Sequence, residues 1–214
     1  MSYALKINDI IKYFKDELVL SNITFKVNKG DIIGIVGRNG SGKSVLFKII
    51  CGLYLPSSGT VTVFDEEITN KQTYPKKTRA IIESPNFLGF YSGYKNLEYL
   101  ALLSGQINKK NIEDTLALVG LEKSAWNKKV KHYSMGMKQK LGLAQVLMDN
   151  PQLIILDEPF NGLDESSVKR FHQILLDLKN KGVTILLASH IKEDIETLCD
   201  RVFKMDLGHL VEIS

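Results

Sequence analysis

Gly37-Arg38-Asn39-Gly40-Ser41-Gly42-Lys43-Ser44 carries the clearest chemistry in the chain, because it satisfies G-x-x-x-x-G-K-[ST]. Without Cβ atoms at Gly37, Gly40 and Gly42 the backbone can wrap a phosphate and turn successive N–H groups toward it. A helix starting near Lys43 adds its N-terminal dipole to the same spot. Lys43 is placed to reach β- and γ-phosphates, and the Ser44 hydroxyl offers Mg²⁺ the oxygen it prefers. A glycine-rich turn with a solvated lysine would share the composition but need neither a strand before it nor an amphipathic helix after it.

Carboxylates supply the second half of a phosphoryl-transfer site. The apolar run Leu153-Ile154-Ile155-Leu156 ends in Asp157-Glu158-Pro159, which places two acids at the carboxyl edge of a strand, where open α/β sheets bind ligands. Alternation along a strand points the two acids to opposite faces, so they should take different work. Asp157 is assigned to Mg²⁺, through water, and Glu158 to the base that positions and activates an attacking water. A further strand, Val183 to Ala188, ends in Ser189-His190. An imidazole there could approach the γ-phosphate or the water, or serve only the structure.

These residues need a parallel sheet to hold them. Ile23 to Val27 alternates, Asn28 to Asp31 reads as a turn, and Ile32 to Val36 is a continuous apolar strand feeding the glycine loop. A helix is expected over Lys43 to Cys51, stopped by Gly52, then a strand over Thr60 to Phe64 and a polar connection to about Thr78. From Asn86 to Met148 the pattern is helical, at Tyr94 to Ser104, Lys109 to Val119 and Met135 to Met148. Strands return at Leu153 and Val183, separated by a helix over Ser166 to Asn180 with Val168, Phe171, Leu175 and Leu178 on one face. A short helix and a hairpin through Asp206-Leu207-Gly208-His209 follow. Strands separated by helices imply a mostly parallel sheet covered by helices.

Composition narrows the classes. With 214 residues, 44% hydrophobic and 24% charged, the chain can bury a core and is neither disordered nor fibrous. Its apolar runs are far shorter than the roughly 18 to 20 residues a bilayer needs, and Met1 to Ile11 does not read as a secretory leader. Cys51 and Cys199 belong to no C-x-x-C pattern, which suits a reducing compartment. The net charge of +4 would serve nucleotide, anionic lipid or nucleic acid equally and decides little.

Tyr133-Ser134-Met135-Gly136-Met137-Lys138-Gln139, some twenty residues before Asp157, completes a set of parts. Together with the segments above it resembles the ATP-binding subunit of ABC transporters, in the same order over essentially the whole chain. That resemblance implies an α/β fold: a P-loop NTPase core with a mostly parallel sheet and an N-terminal antiparallel β region. It also implies one domain over 1–214, with a helical subdomain inserted at 86–148. Ser134 and Gly136 keep key positions of the family's Leu-Ser-Gly-Gly-Gln signature, whereas Tyr133, Met135 and Met137 depart from it. Ser134 begins a helix whose Leu141, Ala144 and Met148 face inward, so it forms a second anion site. In the family that site closes on ATP held by the opposite subunit, which implies a homodimer or heterodimer of ATP-binding subunits.

The resemblance assigns further roles. Asn161-Gly162-Leu163-Asp164 resembles the loop that follows the catalytic acid and touches the partner, His190 the switch histidine, and Phe14, or its neighbour Tyr13, the aromatic that stacks on adenine. Where the family generally has Gln, Ile81-Ile82-Glu83-Ser84-Pro85 places Glu83, an acid that can still approach Mg²⁺ but adds negative charge beside a triphosphate. Phe87, Phe90 and Tyr91 suit a docking surface for a separate transmembrane permease. That segment, Glu83 and the variant signature resemble the branch that exports peptide antibiotics such as bacitracin or lantibiotics. The expected cofactors are ATP and Mg²⁺, and the expected place is cytoplasmic, peripheral on the inner face of the membrane, with no nucleic-acid partner. A P-loop kinase would need neither Ser134-Met135-Gly136 nor Glu158. The alternative within the family is a soluble ABC ATPase acting on ribosomes or nucleic acid. Such proteins usually carry two cassettes or long arms, for which 214 residues leave no room.

Overall fold

Apolar residues on both sides of a strand require cover on both sides, and this requirement organises the chain in the computed structural model, which describes residues 3–69, 74–104 and 108–214. Strands β1 (Tyr3–Phe14), β2 (Glu17–Asn28), β4 (Ser58–Val63) and β5 (Glu66–Glu67) form an antiparallel sheet in the order β2-β1-β4-β5. Strands β3 (Ile32–Val36), β6 (Thr78–Ile81), β7 (Leu153–Asp157), β8 (Thr184–Ala188), β9 (Arg201–Asp206) and β10 (His209–Glu212) form the second sheet, in the order β10-β9-β3-β8-β7-β6. All its pairings are parallel except the closing hairpin β9–β10.

Alternation along β7 shows how the layers are built. Leu153 and Ile155 pack with Ile33, Ile35 and Leu186 against Leu46, Phe47, Ile49 and Ile50 of helix α1 (Lys43–Ile50), with the antiparallel sheet closing the far side. Ile154 and Leu156 face the other way, with Ile32, Ile185 and Leu187. They pack under helices α2 (Gly93–Ser104), α3 (Lys109–Leu118), α5 (Met135–Leu147), α6 (Glu165–Asn180) and α7 (Lys192–Leu198). A short helix, α4 (Lys123–Trp126), and a single 3₁₀ turn at Val130–His132 lead from α3 into α5. The run from β6 to β7 is therefore helical, and α3, α5 and α2 pack on one another.

Two strands stand where no period announces them. β1 pairs with β2 through repeated register shifts, with Asp9 and Asn22 at positive φ, and these bulges break the alternation that would reveal it. β6 has only four residues, too few to show a period, and is aligned by its parallel partner β7. In the polar connection expected before Thr78, residues 70–73 lie outside the described residues, as do 105–107 within the helical stretch and Met1 and Ser2 at the start. No helix among the described residues is long and apolar enough to cross a membrane.

Phe171 is wholly buried on α6 beneath the helical layer. Its replacement by alanine should cost about 3–5 kcal/mol of unfolding free energy, measured by urea denaturation, because the packed neighbours cannot collapse fully into the space.

Candidate functional site

The carboxyl ends of β3, β8 and β7 lie side by side, and each delivers a functional segment to the same edge. After β3 the glycine loop turns into α1, whose N-cap is Gly42 at φ +112°, a left-handed conformation that a side chain would strain. Because Gly42 has no side chain, none caps α1, and the unpaired N–H groups of its first turn are left to the cleft. Gly37 answers to another constraint: a Cβ there would sit 2.3 Å from the Met205 carbonyl oxygen on β9. Its smallness serves close packing of loop against sheet as well as any phosphate.

A cleft of about 420 Å³ collects Asn39, Gly40, Gly42, Lys43 and Ser44 from this loop with Asp157, Glu158 and Glu83. Ser44 Oγ donates to Asp157 Oδ2 at 2.6 Å, joining residues 113 apart in the chain. Lys43 is buried and folds back, its ammonium donating to the carbonyls of Gly37 at 2.7 Å and Arg38 at 3.2 Å. Gly37, Arg38 and Ser41 border a neighbouring groove with His190 instead, and Ser41 Oγ is buried there with no protein partner.

The two acids do not part company as strand alternation suggests. β7 ends at Asp157, and Glu158 turns out of the strand at φ +50°, so both line one cleft. The Glu158 N–H still donates to Ala188 O at 2.9 Å, which ties the acid to the end of β8. Glu158 Oε2 lies 2.7 Å from His190 Nδ1 and accepts from the His190 backbone N–H at 3.4 Å. Beneath His190, Ser189 donates to Asp194, which also contacts His172 of α6. Sequence reading missed this buried Ser189–Asp194–His172 network, since its members lie on three separate elements.

The signature-like segment lies elsewhere: neither Ser134 nor Gly136 lines the cleft of its own chain. Ser134 is the N-cap of α5 and its hydroxyl accepts from Met137 N at 3.3 Å. A Cβ on Gly136 would stand 2.9 Å from Gly162 O, and Met135 covers Gly162 in return, so this segment and the loop after Glu158 interdigitate. Gln139, also missed in sequence, is buried and donates to Pro159 O at 2.6 Å, fastening α5 to the loop that carries the acid. Asp164 caps α6, accepting from Ser166 Oγ at 2.5 Å, Ser167 N at 2.9 Å and Ser167 Oγ at 2.8 Å. Those bonds, the Ser166 hydroxyl first, hold its carboxyl far below the usual range.

Phe14 stands exposed at the end of β1, edge-on to Tyr54, with the Lys12 ammonium over its ring. Tyr13 beside it is also exposed. Glu83, at φ +65°, presents its carboxylate to Lys48 Nζ at 2.6 Å. Of the three aromatics expected to be exposed, only Phe90 is; Phe87 packs partly into the helical core, and Tyr91 lies between Phe90 and Tyr99. Leu102 and Leu103 on α2 add exposed apolar surface.

Tyr133 is a structural departure with a clear cause. Its phenol is buried, donates to Ala125 O at 2.7 Å and is pushed up to about 12 by burial. Gly93 leaves the room, since a Cβ there would lie 2.2 Å from the Tyr133 hydroxyl oxygen. Gly93→Ala should therefore cost about 1–3 kcal/mol in urea denaturation by displacing the phenol from its acceptor, and less in a Tyr133→Phe background.

The donor chemistry fits ATP and Mg²⁺: an uncapped helix start, a lysine held at the glycine loop by neutral carbonyls, and a hydroxyl–carboxylate pair of hard oxygens. A family model described as "ABC transporter" matches residues 20–161. The bacitracin transport ATP-binding protein BcrA of Enterococcus faecalis is 39% identical over 214 residues, 99% of this chain and 69% of that protein. The lantibiotic transport ATP-binding protein SrtF of Streptococcus pyogenes is 35% identical over 196 residues, 92% of this chain and 84% of that protein. The solved structure of an ATP-binding subunit of an ABC transporter superposes with a TM-score of 0.88 at 28% identity, over 98% of this chain and 90% of that one. With more than half of its length matched, and with the glycine loop, the acids and the α/β layers in place, the chain belongs to the ABC transporter family, among its ATP-binding polypeptides.

Proposed function

We propose that the chain is the ATP-hydrolysing subunit of a transporter and drives a separate transmembrane permease. The contact that carries this reading is the one between Glu158 and His190, 2.7 Å apart where the cleft lined by Glu158 meets the neighbouring groove lined by His190. Gly40, Gly42 and the start of α1 would cradle the β-phosphate, and Lys43 would leave the loop carbonyls for the β- and γ-oxygens. Ser44 and Asp157, with Glu83 nearby, would hold Mg²⁺, which when bound neutralises charge developing on the phosphate oxygens. Glu158 accepts a proton from the attacking water, and His190 keeps that carboxylate oriented and reaches toward the γ-phosphate. Phe14 or Tyr13 would stack on the base.

Ser134 and Gly136 sit away from their own cleft, which supports a head-to-tail pair in which each copy completes the other's site. Asp164 and the loop before it would lie at that interface. We read 86–148 as the helical subdomain of one working unit, with Phe90, Tyr91, Tyr99, Leu102 and Leu103 as its face toward the permease. Such docking makes the chain peripheral on the cytoplasmic side of the membrane. The names of its bacitracin and lantibiotic transport relatives support a peptide antibiotic as cargo.

Glu158→Gln should bind Mg·ATP yet turn over about 10²- to 10⁴-fold more slowly, and should accumulate as a nucleotide-bound dimer in light scattering; normal turnover would remove Glu158 from this role. Lys43→Ala should lose tight Mg·ATP binding in calorimetry, and retention would count against the phosphate loop. Recovery in the membrane fraction only when a permease is co-expressed supports transport, whereas co-sedimentation with ribosomes would favour a soluble role.

A further inference from the structure

Helix α1 presents two rungs on one face. Ser44 and Lys48 are four residues apart, hence one above the other, and each meets an acid from a different part of the chain. Ser44 takes Asp157 at the end of β7, and Lys48 takes Glu83 just beyond β6, both at 2.6 Å. Lys48 also lies over the ring of Tyr54, 5.5 Å from its centroid, and Tyr54 meets Phe14 edge-on at 5.4 Å. The Lys48 stem is mostly covered, while Glu83 is mostly exposed at the cleft rim.

From these contacts we infer that Lys48 is a positioning residue: it latches the Glu83 loop onto α1, and a metal–nucleotide complex in the cleft releases the latch by competing for the Glu83 carboxylate. The physical need is specific to an acid at this position. An uncharged amide beside Asp157 and a triphosphate would need no counter-charge, whereas Glu83 does, and Lys48 supplies it from the helix that also bears the phosphate loop. Glu83 sits in the left-handed region, a backbone conformation that persists only when its surroundings hold it. Glu83 leads into the segment carrying Phe87 to Tyr91, which is also tied at Leu88 to Asn96, at Gly89 to Lys131 and at Tyr91 to Val130, so releasing the carboxylate loosens the stretch between Glu83 and Phe87. Through Tyr54 the same lysine reaches the neighbour of Phe14, so one cation touches both that aromatic pair and the Glu83 loop. The release step rests on the ATP-binding function proposed above; the latch itself does not.

Amide hydrogen exchange of residues 82–87 tests both parts on the full chain. Without nucleotide, Lys48→Met and Glu83→Gln should each speed exchange of this segment by about three- to five-fold, as expected for one partly exposed ion pair. The double variant should be no faster than either single one, and Lys48→Arg should restore slow exchange. Exchange in β3 and β8 should stay as in the unaltered protein, which separates a lost latch from a misfolded chain. Mg·ATP added to the unaltered protein should speed the segment to the level of Lys48→Met, and should do little more to that variant. Unchanged exchange in Lys48→Met, or additive effects in the double variant, overturns the latch. Mg·ATP binding demonstrated by calorimetry without any change in the segment overturns the release, while absence of Mg·ATP binding overturns the functional reading and leaves the latch to stand on the nucleotide-free results.

Discussion

Parallel pairing of β3, β8 and β7 is the constraint on which the rest of the site depends. Parallel strands enter from one edge and leave at the other, so whatever follows them is delivered to a single side of the sheet. Here the followers are the glycine loop, Ser189-His190 and Asp157-Glu158. Register fixes the alignment as well: Asp157 stands opposite Ala188, and the amide of Glu158, just past β7, bonds back to that same residue. The contact between Glu158 and His190 is thus a consequence of backbone ladders whose strands are wholly buried on both faces. Burial also makes these ladders hard to shift, because a slip of one residue would exchange the two cores.

Three helix starts divide two kinds of work. Serine caps α5, aspartate caps α6, and each satisfies a first-turn amide with its own side chain. α1 starts at a glycine in the left-handed region and keeps its amides for a ligand. A side-chain cap satisfies one first-turn amide and leaves the others, whereas an uncapped start facing a cleft leaves all of them for an anion. That contrast, together with the lysine folded onto loop carbonyls, is the basis on which the cleft is proposed to take phosphate.

The segments around the signature-like sequence are coupled by small residues and one buried amide. Gly136 against Gly162, Met135 over Gly162, and Gln139 on Pro159 make the start of α5 and the loop after Glu158 into one packed unit. Tyr133 fastens that unit to the helical layer through Ala125, in space that Gly93 leaves open. Movement of the helices would therefore be felt at the loop that bears the acid, and the ion pair of Glu83 with Lys48 provides a second link from helix α1 to the same region.

The phosphate loop, the strand-terminal acids, Ser134 as a cap and the helical middle were all legible from the sequence, because each rests on local rules: residue type at fixed spacing, a period of 3.6, or an apolar run with a polar end. Their identities alone made phosphate binding the expectation. β1 was hidden by its bulges, β6 by its length, and the network from Ser189 through Asp194 to His172 by the distance between its members along the chain. Alternation suggested opposite faces for Asp157 and Glu158, and only the turn at φ +50° brought both into one cleft. Likewise the sequence supplied Glu83 as an unusual acid, and tertiary structure decided that Lys48 would neutralise it. Spacing encodes what neighbours along the chain can do, whereas pairing across 35 or 113 residues is set by the burial that closes the sheet and its helices around them.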